Sequence, residues 1–392
     1  MKIAVVFEGD LQIGGGFQQQ LSTMISLGKS GKFCVIAIVG SSSNKVLFES
    51  QNIKTIVYRP SIFDRVRRAI FRFDFMFPIV AKWRLHCQLE KSLIDEGVDI
   101  VYFLSPSKMA LDFVTLNYIV TVWDLCHRDT PEFPEVRDYR EFEMRDNYYF
   151  KVLPKALAVI VDSDLGKKNL VRRYSVDEDR VFPVSFAPSE NVTVNSVIDI
   201  RMKYGVQGPY IYYPAQLWAH KNHAYILDAL AELKKRNQII HAIFSGSNKG
   251  NLDYILKLAI TLGVRDQISY IGFAPNEDIQ PLYLNALALV MPSYFGPTNI
   301  PPLEAFLIGV PVICSDLIGA REQLLDAALY CNLDKPTSLA EHLENLLLNP
   351  DRREQFVEKG RMRLKDLQSQ SVTVVLEHIL NDFKVKLRTW KS

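Results

Sequence analysis

Short, continuous apolar runs recur along the chain, and stretches with helical spacing of apolar residues separate several of them. Such runs are typical of strands buried in a parallel sheet, and the alternation with helices indicates a doubly wound α/β architecture. The first series of predicted strands lies at 3–7, 34–39, 55–58, 99–104, 118–123 and 157–161. The second series lies at 210–213, 240–244, 268–271, 287–291, 311–314 and 328–330.

A looser stretch at about 185–207 separates the two series and is the expected linker. The pattern therefore predicts two Rossmann-like domains, over 1–190 and 191–371, that face each other across a cleft. Ligands are expected at the carboxyl ends of the strands. Apolar residues of 372–387 share one helical face, so the segment 372–392 is expected to contain a final helix that could pack back on the N-terminal domain.

Composition and charge narrow the classes of function. The 392 residues suit two domains, and 46 basic against 44 acidic residues exclude a strongly basic nucleic-acid module. The five cysteines form no CxxC pair, which favours a reduced, cytoplasmic chain without a disulfide framework or zinc site. The first residues do not resemble a signal peptide, and no apolar run is long enough to span a membrane. The mean hydropathy of +0.01 is high for such a chain.

The segment 287–314 carries candidate chemistry after a strand that is expected to end at Met291. A loop rich in Gly and Pro follows, and then a short helix with Pro302 suited to its first turn and Gly309 to its end. A helix N-terminus favours an anion, and the Glu304 carboxylate, expected in the first turn, could accept hydroxyl hydrogen bonds from a ribose beside a phosphate. The alternative is that Glu304 only complements the helix dipole.

A second candidate phosphate element lies at 210–223, where a strand is followed by a loop and a helix. Lys221 stands at the junction of loop and helix, the place for a phosphate clamp, although an ordinary surface lysine is the alternative. His220 and His223 lie three residues apart, but no third ligand nearby supports a metal site.

The segment 287–314 resembles the signature of family-4 glycosyltransferases, which share the GT-B fold. Pro302-Leu303-Glu304-Ala305 and Gly309-Val310-Pro311-Val312-Ile313 stand where that family has the end of E-G-F-G-L-P-x-L-E-A and then G-x-P-V-V. The resemblance extends over nearly the whole chain and is strongest at 287–331. It implies transfer of a sugar from a nucleotide-diphosphate donor to an acceptor hydroxyl, with retention of anomeric configuration and without a metal cofactor. The departing phosphate oxygen would deprotonate the acceptor.

The resemblance also assigns donor contacts. It places the nucleotide ribose on Glu304, but the family's first Glu, which contacts the donor sugar, is replaced here by Gly296. Thr298 and Asn299 are expected to take part of that work, and the main-chain N–H groups of 298–301, Ile300 included, are expected on the phosphate.

The same resemblance assigns the diphosphate contact to Lys221, which matches a family lysine. Gln216 stands where the family usually has an arginine, so one positive charge is missing, and Arg321 is a candidate substitute.

In the N-terminal half, Gly14-Gly15-Gly16 matches a family loop that lets the backbone approach the donor phosphate or the acceptor, and Gly15 and Gly16 are the expected contacts. A plain tight turn is the alternative. After the strand at 118–123 the family usually has His-Asp; here Trp123 takes the His position and Asp124 is kept. We expect Asp124 or His127 to contact the donor sugar or the acceptor hydroxyl, unless His127 is an ordinary loop residue.

The segment 59–84 combines basic and aromatic residues with helical spacing of Ile62, Val66 and Ile70. Such a helix suits an anionic lipid surface, which would make the protein peripheral on the inner face of the cell membrane. The alternatives are a helix packed on the sheet, or an arginine-rich site for an anionic acceptor such as a lipid diphosphate. The basic residues concerned are Arg59, Arg65, Arg67, Arg68, Arg72, Lys82 and Arg84.

The expected function is therefore that of a retaining glycosyltransferase in surface polysaccharide or lipopolysaccharide assembly. GDP-mannose is the favoured donor, and a glycan or lipid-linked molecule is the acceptor. A different GT-B enzyme, such as an epimerase or phosphorylase, has no positive support in the residues. A non-catalytic GT-B protein that binds nucleotide sugar or scaffolds an assembly complex is the main alternative, because Gly296 and Gln216 depart from the family pattern.

Overall fold

The computed structural model describes residues 1–9, 14–70, 86–188, 198–296, 298–368 and 372–390. The chain divides into two compact units, each discontinuous in sequence. Unit 1 comprises Met1–Leu125, Glu143–Val184 and Gln370–Ser392, and unit 2 comprises Cys126–Phe142 and Ser185–Ser369. The segment 126–142, which the sequence places inside the N-terminal domain, thus groups with unit 2.

Unit 1 contains a seven-stranded parallel sheet of strand order β3-β2-β1-β4-β5-β6-β7. Its strands are β1 Lys2–Phe7, β2 Cys34–Val39, β3 Lys54–Val57, β4 Ile100–Phe103, β5 Asn117–Val122, β6 Ala158–Val161 and β7 Val181–Pro183. Neighbouring strands are in parallel register, as in the pairs Ile3↔Val35 and Ile3↔Ile100.

Unit 2 contains a six-stranded parallel sheet of order β10-β9-β8-β11-β12-β13. Its strands are β8 Tyr210–Pro214, β9 His241–Ser245, β10 Ile268–Tyr270, β11 Ala288–Met291, β12 Val312–Ser315 and β13 Leu329–Cys331. The predicted pair of doubly wound Rossmann-like domains is confirmed, and each predicted strand has a counterpart. The edge strand β7 was not predicted.

Helices connect the parallel strands. In chain order they are α1 Gly14–Lys29, α2 Ser42–Glu49, α3 Ile62–Ile70, α4 Gln88–Asp95, α5 Cys126–Asp129, α6 Pro134–Arg137, α7 Glu141–Val152, α8 Asp164–Tyr174, α9 Ile200–Tyr204, α10 His223–Lys235, α11 Leu252–Thr261, α12 Asn276–Leu284, α13 Ile300–Ile308, α14 Ile318–Leu324, α15 Pro336–Leu348, α16 Pro350–Gln368 and α17 Val372–Leu387. Among these described helices, none has the length and apolar character needed to cross a bilayer.

The inner strands of unit 1, such as β4 and β6, are buried on both faces, as the continuous apolar runs indicate. Ala4 and Val6 of β1 belong to one apolar cluster, whereas Ile3, Val5 and Phe7 belong to another, because successive side chains of a strand point to opposite faces. The second cluster includes four residues of α17: Leu376, Ile379, Leu380 and Phe383. The last helix of the chain is therefore part of the core of unit 1.

Candidate functional site

The strand order of unit 2 brings two candidate loops to one place. β8 and β11 are hydrogen-bonded neighbours, and the chain runs outward from β8 to β9 and from β11 to β12 in opposite directions. In open α/β sheets, ligands bind outside the carboxyl ends of the strands at such a reversal. The loop after β8 carries Gln216 and Lys221, and the loop after β11 carries Gly296 and Asn299. The structure thus places both predicted donor elements at the reversal point.

The two loops are hydrogen-bonded to each other. The Tyr213 hydroxyl, which is fully buried, donates to the Lys221 carbonyl at 2.9 Å and lies 3.1 Å from Ser293 Oγ. The Tyr294 N–H donates to the His220 carbonyl at 2.9 Å. Both predicted donor loops therefore belong to one packed body at the end of the sheet.

Lys221 ends a short 3₁₀ turn, Ala219–Lys221, and stands two residues before the start of α10. Asn222 between them has a left-handed φ of 54°, which turns the chain into the helix. His223 is fully buried; its ring packs on Tyr213 at 4.7 Å, and burial lowers its pKa to about 3. His223 is therefore neutral and adds no charge beside Lys221.

Gln216 and Arg321 have partners within unit 2. The side-chain amide oxygen of Gln216, Oε1, accepts a hydrogen bond from the Trp218 indole N–H at 3.1 Å. The Arg321 guanidinium donates two hydrogen bonds to the Asp316 carboxylate and lies 4.3 Å above the Tyr330 ring. The hydrogen bond from Arg321 lowers the pKa of Asp316. In this structure Arg321 is thus committed to Asp316 instead of supplying the charge that Gln216 lacks.

Glu304 lies in the second turn of α13 instead of the first, because Ile300 and two prolines occupy the first turn. This difference weakens the alternative that Glu304 only complements the helix dipole, since that effect falls off beyond the first turn. Glu304 Oε2 accepts a hydrogen bond from the Tyr283 hydroxyl at 2.7 Å. Tyr283 is fully buried on α12, and burial followed by the charge of Glu304 raises its pKa well above 10, so it stays a donor. Tyr283 therefore orients the carboxylate.

Gly296 adopts a backbone that a glutamate would rarely take. Its φ is +107°, and a Cβ atom there would lie 3.4 Å from the Asn299 side chain. Asn299 Nδ2 donates to the Gly296 carbonyl at 3.2 Å and so closes the loop. A glutamate at this position would therefore be strained in the loop conformation that this chain adopts.

Gln323 holds the other side of this loop. Its side chain, 5% exposed, accepts a hydrogen bond from the Asn299 N–H at 3.0 Å and donates to the Asn299 carbonyl at 2.9 Å. Arg363 in turn donates to the Gln323 carbonyl at 2.8 Å. The expectation of phosphate contacts from the N–H groups of 298–301 therefore fails at Asn299, whose N–H binds Gln323, and at Pro301, which has none. Thr298 is buried, and Ile300 begins α13.

In unit 1, Gly14, Gly15 and Gly16 form the first turn of α1 and are neither a loop nor a plain tight turn ahead of the helix. A Cβ atom on Gly16 would lie 2.7 Å from the Trp123 ring. The close approach that requires glycine at this position is therefore to Trp123, the residue at the family's usual His position.

Asp124 and His127 fall in different units. The Asp124 carboxylate accepts a hydrogen bond from Arg145 Nη2 at 2.5 Å. His127, on the single-turn helix α5, is fully buried, and its ring lies 5.6 Å from that of Phe142. His127 is thus a buried residue in this structure, which neither of its two predicted roles anticipated.

Helix α3, Ile62–Ile70, lies in the first part of the predicted basic helix, and residues 71–85 lie outside the described residues. Arg65 is exposed, the side chains of Arg67 and Arg68 are not described, and Arg72 lies outside the described residues. Ile62 and Val66, expected on a face turned to lipid or, in the alternative, packed on the sheet, are 80% and 53% exposed.

Among residues 62–66, the part of α3 whose burial is described, Asp64 is buried, and it accepts hydrogen bonds from Ser61, Tyr58 and the Gln88 N–H. Burial alone would raise the pKa of Asp64, but these hydrogen bonds lower it. An ionised Asp64 thus holds the start of α3 with the apolar residues outward.

In the described parts of the chain, no group of three or more His, Cys, Asp or Glu side chains has the arrangement of a metal site. The cysteines at all five positions are free thiols.

Solved structures define the class of fold. The chain matches the crystal structure of Anabaena Alr3699/HepE in complex with UDP with a TM-score of 0.70 and 16% identity, over 98% of this chain and 100% of that one. It matches WaaG, a glycosyltransferase involved in lipopolysaccharide biosynthesis, with a TM-score of 0.65 and 16% identity, over 94% and 97% of the two chains. The protein therefore has the GT-B fold.

Residues 199–363, which include Lys221 and Glu304, match the family model of glycosyl transferases group 1. The chain is 26% identical over 227 residues to O-antigen chain mannosyltransferase B of Escherichia coli, covering 56% of this chain and 59% of the relative. It is 29% identical over 231 residues to O-antigen chain mannosyltransferase RfbU of Salmonella typhimurium, covering 55% and 61%. The chain thus spans about three fifths of the length of these curated relatives.

Sequence reasoning missed Tyr213, Tyr283 and Gln323, which hold the donor loops. Tyr283 and Gln323 lie 21 and 24 residues from their partners in sequence, so no local pattern connects them to the site. Tyr213 was assigned only to a strand, although buried tyrosines need a partner for their hydroxyl and the sequence YIYY could have indicated such bonds.

Proposed function

We propose that the chain is a retaining glycosyltransferase that moves mannose from GDP-mannose to a hydroxyl of a glycan or lipid-linked acceptor in surface polysaccharide assembly. The observation that carries the proposal is the joined pair of loops that bear Lys221 and Gly296–Glu304, within the residues that match glycosyl transferases group 1. The mannosyl donor is supported by the names of two relatives, which are O-antigen chain mannosyltransferases.

In the proposed reaction, Glu304 accepts hydrogen bonds from the ribose, and Lys221 neutralises the diphosphate as the bond from the sugar to the phosphate oxygen breaks. The bond from the acceptor oxygen to the anomeric carbon forms on the same face, and the acceptor proton passes to the departing phosphate. A fixed lysine beside a developing phosphate charge can stabilise it without a metal ion. We therefore propose turnover that is unaffected by a chelator.

Nucleotide binding is the first test. A ligand that binds only the folded state raises the midpoint of thermal unfolding, so GDP should raise it more than UDP or dTDP. Glu304→Ala should abolish the shift, whereas Glu344→Ala, which removes a carboxylate paired with Arg236 on another face of the fold, should leave it. No shift with any of the three nucleotides would refute the proposal.

Turnover is the second test. GDP release from GDP-mannose should depend on a glycan or lipid-linked acceptor, and Lys221→Ala should lower kcat by at least about tenfold, as the loss of a charged transition-state contact does. Nucleotide binding without transfer to any acceptor would instead identify a non-catalytic GT-B protein.

We further propose that α3 rests on the inner, anionic face of the cell membrane in the cytoplasm. The exposed Ile62, Phe63 and Val66, beside the exposed Arg65, combine apolar surface and positive charge on one short helix. The protein should sediment with anionic vesicles at low salt, and Arg65→Glu together with Phe63→Ser should prevent this. Equal partition to neutral and anionic vesicles would refute the electrostatic part of the proposal.

A further inference from the structure

A third segment of unit 2 packs against the two donor loops. It comprises residues 126–142, which leave unit 1 after Leu125 and return to it at Glu143. Two of its side chains, Phe133 and Glu135, contact residues that directly precede the predicted donor-binding positions Lys221 and Gly296. The predicted roles of this segment concern only His127, so these contacts have no assigned purpose.

Glu135 fixes His220 at two points. Its side chain is 7% exposed, and Oε1 accepts hydrogen bonds from the His220 main-chain N–H at 2.9 Å and from the ring at Nδ1. Burial alone would raise the pKa of Glu135, but the hydrogen bonds from His220 lower it, so the carboxylate is ionised. Because main chain and ring share one acceptor oxygen, both the turn and the ring plane of His220 are set.

The His220 ring transmits this placement to the second loop. It stacks on the Phe295 ring with centroids 3.8 Å apart and planes 14° apart. Phe133 encloses the pair, with ring centroids 5.6 Å from Phe295, 6.3 Å from His220 and 5.4 Å from Tyr294. One carboxylate and one aromatic ring of the segment 126–142 therefore hold the residue before Lys221 and the residue before Gly296.

We propose that Glu135 and Phe133 are positioning residues that set the spacing between the Lys221 turn and the Gly296 loop for the diphosphate of the donor. The role in donor binding rests on the proposed function. Neither residue needs to contact the ligand, because each acts through His220 or Phe295. A displaced lysine loses affinity for the diphosphate while Glu304 and its ribose contact, held separately by Tyr283, stay in place.

Hydrogen exchange without ligand tests whether Glu135 and Phe133 hold the two loops in place. In Glu135→Ala, the amides of peptides covering 216–222 and 292–296 should exchange at least about tenfold faster, as expected when a hydrogen bond to a charged group is lost. Glu135→Gln keeps an acceptor oxygen and should restore most of the protection. If the alanine variant fails to fold, Phe133→Leu, which should speed exchange in 292–296, decides the question. The matched control is Tyr225→Phe, which removes hydrogen bonds to the carbonyls of Asn332 and Lys335 in the same unit. Unchanged exchange in Glu135→Ala and Phe133→Leu, or an equal increase in Tyr225→Phe, would overturn the proposal.

Nucleotide affinity tests the role in donor binding. Phe133→Leu and Glu135→Ala should raise the dissociation constant of GDP about tenfold and leave that of guanosine nearly unchanged, because only the diphosphate contact moves, whereas Glu135→Gln should stay close to the wild type. Equal losses for GDP and guanosine would show a general structural effect and overturn the positioning role. If the wild-type protein binds no nucleotide, the proposed function and the donor-binding role fail together. The exchange data then still decide whether Glu135 and Phe133 hold the two loops.

Discussion

The reciprocal pair between Gln323 and the main chain of Asn299 allows a test with isosteric variants. Gln323 both accepts from the Asn299 N–H and donates to its carbonyl. Gln323→Met removes both hydrogen bonds and keeps an unbranched side chain. Gln323→Glu keeps an acceptor oxygen, but an ionised carboxylate has no hydrogen to give the Asn299 carbonyl.

The magnitude follows from these bonds. Each typical hydrogen bond contributes about 0.5–1.5 kcal/mol net, so Gln323→Met should lower the free energy of unfolding by about 1–3 kcal/mol. Gln323→Glu should cost at least as much at pH 7, because it also buries a charge at a position that is only 5% exposed. The introduced carboxyl group would regain a donor once it is protonated. Its folded-state pKa is therefore raised above that of the unfolded chain, and the Gln323→Glu variant should recover stability as the pH falls toward about 4–5.

Denaturant unfolding of the wild type and both variants at pH 7 and pH 5 is the assay. Gln267→Met is the matched control: Gln267 is buried in the same unit, and neither polar atom of its side chain has a hydrogen-bond partner among the described residues. This control should be neutral or stabilising. The reasoning is refuted if Gln323→Met lowers the free energy of unfolding no more than Gln267→Met does. It is also refuted if the difference in free energy of unfolding between Gln323→Glu and Gln323→Met is the same at pH 7 and pH 5.

Three other substitutions probe the same unit. Gly296→Glu should lower the free energy of unfolding by about 1–3 kcal/mol because of its φ of +107°, and should not tighten GDP-mannose binding in calorimetry; tighter binding would contradict the loop argument. Tyr283→Phe keeps the ring packed on Tyr212 but loses the hydrogen bond to Glu304, so the dissociation constant of GDP should rise about tenfold, and unchanged affinity would remove its orienting role. His223 is neutral in the fold with a pKa of about 3, so the unfolded chain binds the extra proton and stability falls as the pH drops below about 6.5. Urea unfolding of His223→Phe should show a shallower fall between pH 6.5 and pH 4 than the wild type, and equal slopes would argue against the burial effect.

The pattern of apolar runs was sufficient to predict the sheets, because strands buried on both faces of a parallel sheet need continuous apolar residues. β7 was not predicted because its three residues, Val181–Pro183, end in a proline and form only one edge of the sheet. Gly14-Gly15-Gly16 was interpreted as a loop or turn because glycines favour turns by propensity, yet Gly16 is required inside the helix by the Trp123 ring. Tertiary contact, which a sequence pattern does not contain, decided that boundary.

The candidate site was predictable where residues lie close in sequence. Lys221 and Glu304 follow predicted strands, and the rule that ligands bind at the carboxyl ends of strands led to both. Their supports were not predictable, because Gln323 reaches Asn299 from α14 and Glu135 reaches His220 across 85 residues of sequence. The burial of His127 was missed for the same reason, since its surroundings in unit 2 depend on where the segment 126–142 packs.

The two family residues that are replaced in this chain, a glutamate and an arginine, carry opposite charges. Replacing the first glutamate by Gly296 removes one negative charge, and replacing the arginine by Gln216 removes one positive charge, so the net charge of the donor loops is the same as with both present. Because the two loops are hydrogen-bonded to each other through Tyr213 and Tyr294, such changes act on one shared electrostatic environment. The loss of the arginine alone would leave less positive charge for the diphosphate. When the glutamate is lost as well, one negative charge near Lys221 is removed. The loop has a backbone conformation at Gly296 that a glutamate would rarely adopt. Hydrogen bonds between neutral groups of Gly296, Asn299 and Gln323 hold this conformation. The paired loss therefore supports our proposal that Gly296 and Gln216 belong to a rebuilt donor loop and not to a degraded one.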